Sequence, residues 1–395
     1  MSAAQDRGAA GGRWGWGALA LVVVAFNMRI AVGSVPPVLN RLGLDRGQQS
    51  LLVTVPVLCF GLAAWAAPEL RRRWGADHLI TGALVALVLG LVWRALGPAW
   101  ALFPGTVLAG LAVALLNVLI PALVRGRYAD RAAPVTAAYT IAMSIGASLG
   151  AGLTVPLLQS TGSLALALGI WAAPAIVGVA VWAIQRQSDR PPPPADAGFA
   201  VQQGVPLRRL GRDRTAWLVT AFFGLQSLVF YAMLSWLPAI YQAKGASPAL
   251  AGGVLAVLNT VGIGGNIMGP ALAQRSRDQR LAVAAGIALI AAGLLGILLG
   301  GAGEAFLWAA VLGLGTGSSF AVALLLVVLR SPDAHTAVSL SASAQGLGYV
   351  IAASGPLVLG LIRQASGGWS VPLLVVLGLV GLELLAGLGA ARDRL

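Results

Sequence analysis

Apolar runs follow one another along almost the whole chain, separated by short gaps in which arginine, glycine and proline collect. Each run is about 20 residues long, the length an α-helix needs to cross the hydrocarbon core of a bilayer. The pattern predicts twelve membrane-spanning helices, at 16–39, 48–70, 78–97, 100–124, 133–158, 163–184, 214–241, 247–272, 280–299, 304–329, 335–362 and 370–390. The narrowest separation is Gly97-Pro98, where a tight turn must divide the third span from the fourth. Without that turn the count falls and the topology beyond it inverts.

One long polar segment breaks the series. It covers 185–213 and contains Pro191-Pro192-Pro193-Pro194, a run that is stiff and extended and forms no span. The chain therefore divides into an N-terminal segment (1–15), a six-helix bundle (16–184), a linker (185–213), a second six-helix bundle (214–390) and a short tail (391–395). The halves echo each other. Pro37 and Pro68 lie 31 residues apart in the first, and Pro238 and Pro270 lie 32 apart in the second. Phe103, Gly110 and Arg127 recur as Phe306, Gly313 and Arg330 at a constant offset of 203. Weak internal repetition of this kind is the sequence mark of duplicated transporter folds. It predicts two pseudo-symmetric bundles around a central cavity.

Composition agrees with a membrane protein. The 395 residues are 58% hydrophobic and 10% charged, against about 25% charged in soluble domains, and the mean hydropathy is +0.85. The net charge of +13 is not a nucleic-acid signature, because the arginines sit in short gaps between apolar runs and lack aromatic interleaving. Twenty of the 26 basic residues fall on one side of the predicted topology. Five (Arg41, Arg46, Arg94, Lys244 and Arg363) fall on the other, and Arg29 lies between. By the positive-inside rule both termini are expected in the cytoplasm, as in a multi-pass protein of the cytoplasmic membrane. The first run lacks a small-residue cleavage site and is read as a retained helix rather than a signal peptide. Cys59 is alone in an apolar run, so no disulfide or metal cluster is expected.

Candidate chemistry is confined to polar residues inside the spans. Arg29 stands about ten residues from the end of its helix, near mid-membrane on a rise of 1.5 Å per residue. No acid lies on its own helix. A charge in such a place marks a pathway or a binding site, and the guanidinium fork suits carboxylates and other planar anions. The competing reading is a structural charge satisfied by carbonyls or by an acid on another helix. Asn27 does not share the face of Arg29, and binding and packing roles are evenly balanced for it.

On the seventh span, Gln226 and Tyr231 offer polar groups to the same cavity, and Phe222, Phe223 and Phe230 offer apolar wall. Trp236, near the end of that span, is either a gate or an interfacial anchor. Asn117, Tyr139, Asn259 and Gln345 are further substrate-binding candidates. Glu383 is the one acid placed well inside a span and the one candidate proton relay, whereas Glu304, His78 and His335 lie at helix mouths. Gly313, Gly315 and Gly317 read as close-packing or hinge positions. No glycine-rich loop is followed by Lys and Ser/Thr, so the chain carries no ATP-coupling motif and no cofactor is expected.

Three stretches, Phe26-Asn27-Met28-Arg29, Gly224-Leu225-Gln226-Ser227-Leu228-Val229-Phe230-Tyr231 and Ser235-Trp236-Leu237-Pro238, resemble the major facilitator superfamily, and within it the cyanate and 2-nitroimidazole transporter-like group. The likeness covers nearly the whole chain in topology and about a tenth of it in specific motifs. The superfamily's loop between spans two and three carries Gly, Asp and basic residues. Here Ala67-Pro68-Glu69-Leu70-Arg71-Arg72-Arg73-Trp74-Gly75 keeps the basic part, while the acid is displaced to Glu69 or missing. The resemblance implies alternating access, with a cyanate-like anion, a small carboxylate or a nitroimidazole-like solute as substrate.

The expected partners are that small solute, a proton or counter-ion and membrane lipids, with no nucleic acid and no obligate protein partner. A receptor or scaffold that keeps the fold without transport is the alternative. An enzyme is not expected, since no paired acids, metal-ligand cluster or nucleophile–base spacing is present.

Overall fold

A computed structural model describes residues 2–128, 132–188, 213–275, 278–331 and 334–392. Thirteen α-helices occupy these segments. In chain order they are α1 (Ser2–Gly33), α2 (Arg46–Trp74), α3 (Ala76–Ala95), α4 (Ala99–Arg127), α5 (Ala132–Thr161), α6 (Leu164–Gly169), α7 (Ala172–Ser188), α8 (Arg214–Ala243), α9 (Pro248–Ala273), α10 (Arg280–Leu299), α11 (Ala305–Leu329), α12 (Ala334–Ser366) and α13 (Ser370–Ala391). Short 3-10 turns occupy Pro36–Arg41 and Ala302–Glu304. Eleven spans among the described residues are long and apolar enough to cross a membrane. With α2, which is 29 residues long, they make up the twelve that the hydrophobic pattern predicts.

Local sequence sets the helix ends. Asp45 accepts from the Gln48 amide while the Gln48 side chain reaches back to the Asp45 amide, a reciprocal capping box that opens α2. Asp213 caps α8 through the Thr215 amide. Ser247 caps α9, with Pro248 in the first turn, where its missing N–H costs nothing. The turn expected at Gly97-Pro98 is present. Gly97 has φ +97°, a conformation that side-chain-bearing residues rarely adopt, and α4 starts two residues later.

The first span is helical only to Gly33, so Arg29 stands four residues from the end of α1 rather than about ten, and two further features depart from the expected spans. The sixth is broken between α6 and α7 at Ile170-Trp171, where the Trp171 indole donates to Thr154 Oγ1 on α5 at 3.0 Å. Helix α1 begins at Ser2, well before its apolar stretch starts at Trp16. Of the expected linker, 185–188 belong to α7 and Asp213 caps α8, while 189–212 lie outside the described residues, as do 393–395 of the expected tail.

The exterior is apolar, with Leu89, Leu299 and Leu385 more than half exposed, as lipid-facing positions should be. Inside, α1 packs on α5 and α7, and α3 packs on α4 and α7. In the second half α9 packs on α11, α10 on α11 and α13, and α8 on α12 and α13. The halves meet through α2 with α12, through α5 with α9, and through the Pro36–Arg41 turn against α8 and α9.

The repeat seen in sequence is also a repeat of contacts. A Cβ on Gly90 of α3 would strike Ala109 of α4, and one on Gly293 of α10 would strike Leu312 of α11. Gly110 abuts Pro56 of α2, and Gly313 abuts Leu258 of α9. At the end of the molecule carrying Arg71–Arg73, here termed the basic face, Arg127 pairs with Asp77 at 2.7 Å. Its counterpart Arg330 bonds Gln279 and the Ala390 and Ala391 carbonyls. Glu69 pairs with Arg72 and Arg73 of its own helix. The acid joining two helices at this end is therefore Asp77.

Close helix approach should be testable by two alanines. Gly146→Ala puts a Cβ against the Phe26 carbonyl oxygen of α1, and we expect it to destabilise by about 1–3 kcal/mol. Gly82→Ala meets nothing within 4 Å and should stabilise α3 by up to about 1 kcal/mol. Thermal unfolding midpoints in detergent should move in opposite directions.

Candidate functional site

Helix α1 carries Arg29 to the junction of the two halves, where its guanidinium carbon lies 5.4 Å from the Phe230 ring centre and 5.9 Å from that of Tyr231. Tyr231 is buried and belongs to an aromatic cluster drawn from three helices. Its ring centre lies 5.2 Å from Phe230, 5.9 Å from Phe60 of α2 and 6.3 Å from Tyr349 of α12. Phe60 and Tyr349 meet edge-on at 5.6 Å, and Phe223 backs Tyr349 at the same distance. Residues from both halves thus build one aromatic cluster, here termed the chamber, with a cation beside it. Among the described residues Arg29 makes no ion pair and no hydrogen bond. The structural-pairing reading of Arg29 accordingly finds no partner. Its charge faces ring π-systems, which attract a cation, and its five N–H donors stay open to a ligand.

The other expected residues divide. Asn27 is fully buried on a different face of α1, where its amide nitrogen donates to Val23 O at 2.8 Å and to Pro174 O of α7 at 3.0 Å. One amide hydrogen thereby stays within α1 and the other ties α1 to α7. Of the two roles open to Asn27, these bonds favour packing, on a face it does not share with Arg29. Gln226 shares a helical face with Phe230, four residues on, but its amide folds back onto Phe223 O and Ser227 Oγ. Gln345 lies one turn from Tyr349 and bonds Ser341 Oγ at 2.8 Å. Asn259 donates to Leu255 O of its own helix, Tyr139 is buried on α5, and Asn117 is half-buried on α4. Among the described residues no hydrogen bond joins Asn259 or Asn117 to Arg29.

Trp236 is not an exposed interfacial anchor. It is buried, its indole donates to Pro356 O at 2.8 Å, and its ring packs on Trp369 at 5.4 Å. Phe222 turns toward Gly387 of α13 rather than into the chamber. Glu383 is fully buried on α13 and accepts from Ser319 Oγ of α11 at 2.6 Å, its other oxygen unpartnered. It sits among the helices of the second half, and no ring or charge of the chamber touches it. His78 lies 3.2 Å from Arg186 at the basic face, while the side chain of His335 lies outside the described residues.

Sequence reasoning did not single out Phe60 or Tyr349. The i, i+4 spacing from Gln345 to Tyr349 was the available signal for the second, whereas an aromatic in an apolar span reads as core. Arg94 was placed among the residues of the face opposite the basic one. It is instead only 2% exposed, with Nη1 donating to Ala31 O at 2.7 Å and Nη2 to Ser34 Oγ at 3.1 Å.

Comparison with known proteins adds the family. Residues 17–356 match the sequence model of the Major Facilitator Superfamily. The uncharacterized transporter YycB of Bacillus subtilis (strain 168) is 33% identical over 386 residues, which is 96% of this chain and 94% of that one. The 2-nitroimidazole transporter of Escherichia coli (strain K12) is 33% identical over 380 residues, 95% of each chain. The cyanate transport protein CynX of the same organism is 30% identical over 371 residues, 92% of this chain and 94% of that one. Among solved structures, an inward-facing bacterial homolog of the human lysosomal transporter Spinster superposes with a TM-score of 0.73 at 17% identity. That match covers 96% of this chain and 97% of the other.

The two neighbours on α1 should part company under mutation. Asn27→Leu removes the tie to α7, and the loss of one buried hydrogen bond should destabilise by about 1 kcal/mol. Arg29→Met removes a cation that no protein group neutralises, and its unfolding midpoint should equal or exceed that of the parent. A lower midpoint for Arg29→Met would show that the residue holds the fold together.

Proposed function

Because the chain belongs to the major facilitator superfamily, we propose that it carries a small planar solute with a negative or strongly polar end, and that Arg29 is the group that selects it. The protein is a multi-pass membrane transporter of the alternating-access type. The observation that carries the choice of substrate is the unpaired Arg29 guanidinium set over the Phe230 and Tyr231 rings. The fork offers bidentate hydrogen bonds to a carboxylate, nitro group or cyanate-like anion. The rings of Phe60, Tyr231 and Tyr349 offer offset or edge-on contact to a flat π-system. Relatives named for 2-nitroimidazole and cyanate transport have substrates of that chemistry.

Alternating access follows from where the halves touch. Away from the basic face, Asn40 donates to Gln242 Oε1 at 3.0 Å, and Gln242 donates in turn to Pro37 O. Ser148 of α5 bonds Thr260 Oγ1 and Ala256 O of α9. The Asn40–Gln242–Pro37 ties close the side opposite the basic face, and the Ser148 ties join α5 to α9 at mid-helix, level with Arg29. Breaking them while the halves rock about the chamber exposes Arg29 to that side. The basic face is the cytoplasmic one by its arginines, and both termini lie there. A direct proton exchange between substrate and Glu383 is not favoured by this geometry, since the acid's contact is Ser319. A role for Glu383 as relay would act through α11.

Solute counterflow in proteoliposomes tests the reading, with labelled cyanate, small carboxylates and 2-nitroimidazole as the panel. Wild type should exchange at least one of them. Arg29→Gln should lower kcat/KM by roughly thirtyfold or more, the loss of at least about 2 kcal/mol from a desolvated charge pair. Arg29→Lys should fall between. Tyr349→Leu should raise KM severalfold for the ring-bearing solute, about 0.5–1.5 kcal/mol for an aromatic pair, and less for cyanate. Undiminished exchange in Arg29→Gln would remove the residue from the site. No exchange of any panel member by wild type would favour the receptor reading.

A further inference from the structure

A second cation lies buried beyond the chamber. Arg94, in the last turn of α3, has no acid partner among the described residues, and its Nε has no hydrogen bond. It lines a cavity of about 20 Å³ on the side of Arg29 toward Pro36, together with Thr106 of α4 and Tyr231 and Ser235 of α8. The remaining wall is aliphatic or proline, from Ala31 and Val35 round to Leu234. That volume suits one water-sized occupant.

The hydroxyls around it are unusual for this molecule. Thr54, Thr154, Thr220 and Thr316 all donate to the carbonyl four residues earlier, the habit of Thr and Ser inside helices. Thr106 and Ser235 do not. They are 3% and 4% exposed, and neither makes a hydrogen bond with a described residue, nor does the Tyr231 hydroxyl. Arg94, Thr106, Ser235 and Tyr231 thus line one small space, their three hydroxyls are uncommitted, and among the described residues no acid pairs with Arg94. A buried cation without a counter-charge is costly in hydrocarbon, and an anion accepting from all four groups removes that cost.

We propose that this cavity is a binding site for a single small monovalent anion of halide size, held by Arg94, Thr106, Ser235 and the Tyr231 hydroxyl. The site does not depend on the identity of the transported solute. Tyr231 belongs to both places, its ring facing Arg29 and its residue lining the cavity. An anion bound at Arg94 thus fixes the orientation of a chamber residue.

The test is thermal unfolding of the detergent-solubilised full chain, titrated with sodium bromide against sodium gluconate at constant ionic strength. Bromide should raise the midpoint saturably in wild type, as binding to the folded state requires, while gluconate should not. Thr106→Val and Ser235→Ala keep Arg94 and its ties to α1. Each should weaken the bromide affinity about tenfold, the loss of one hydrogen bond to a charged group. Arg94→Met should abolish the response, and where it does not fold the two hydroxyl variants decide. Anomalous scattering from a bromide-soaked crystal should place the ion beside Arg94. Equal midpoints in bromide and gluconate for wild type would overturn the proposal. So would a bromide response unchanged in the Thr106→Val, Ser235→Ala double variant.

Discussion

A guanidinium held between two sets of membrane helices, faced by aromatic rings and by no acid, is the constraint around which the molecule is arranged. Hydrocarbon tolerates a charge only where protein or water takes the place of solvent. Arg29 therefore has to sit where both halves converge, and its neighbours come from α8 while the rings behind them come from α2 and α12. The cation–π contacts lower the cost of the charge without consuming its hydrogen-bond donors. This is what leaves Arg29 available to a solute, whereas Asn27, two residues away, has both amide hydrogens engaged in structure.

The scaffold that holds this arrangement is made mainly of close contacts between small residues. With lipid outside and apolar side chains inside, burial gives helices little reason to associate, and packing of backbones at short range has to supply it. The Gly90–Ala109 and Gly293–Leu312 contacts are the same device used twice, 203 residues apart. The ties between the halves are of another kind. Hydroxyl and amide bonds such as Ser148–Thr260 and Asn40–Gln242 are weak enough to exchange, which suits a junction that has to open.

Much of this was legible from the chain itself. The twelve spans, the turn at Gly97-Pro98, the duplicated halves and the isolated charge of Arg29 are properties of composition and spacing. The bilayer enforces them on any sequence of this kind, because it admits only helices of a set length with satisfied backbones. Tyr231 and Phe230 were legible for a related reason, lying on the helix that the repeat sets opposite α1. Trp236 was half legible. Its position near a helix end fits an anchor or a gate equally, and only the fold shows it buried against Pro356 and Trp369.

What the sequence could not hold was which polar residue faces which neighbour. Asn27, Gln226 and Asn259 look alike in a list of intramembrane polar groups, yet each turns its amide to a backbone carbonyl within reach. Phe60 and Tyr349 look like core, yet they close the chamber, and Arg94 looks like a surface charge, yet it is buried against the end of α1. Hydropathy is a sum along one helix, and it determines that the helix crosses the membrane and where. The rotation of each helix about its own axis is set by contacts between residues hundreds of positions apart. That rotation alone decides whether a side chain meets lipid, a carbonyl or the solute.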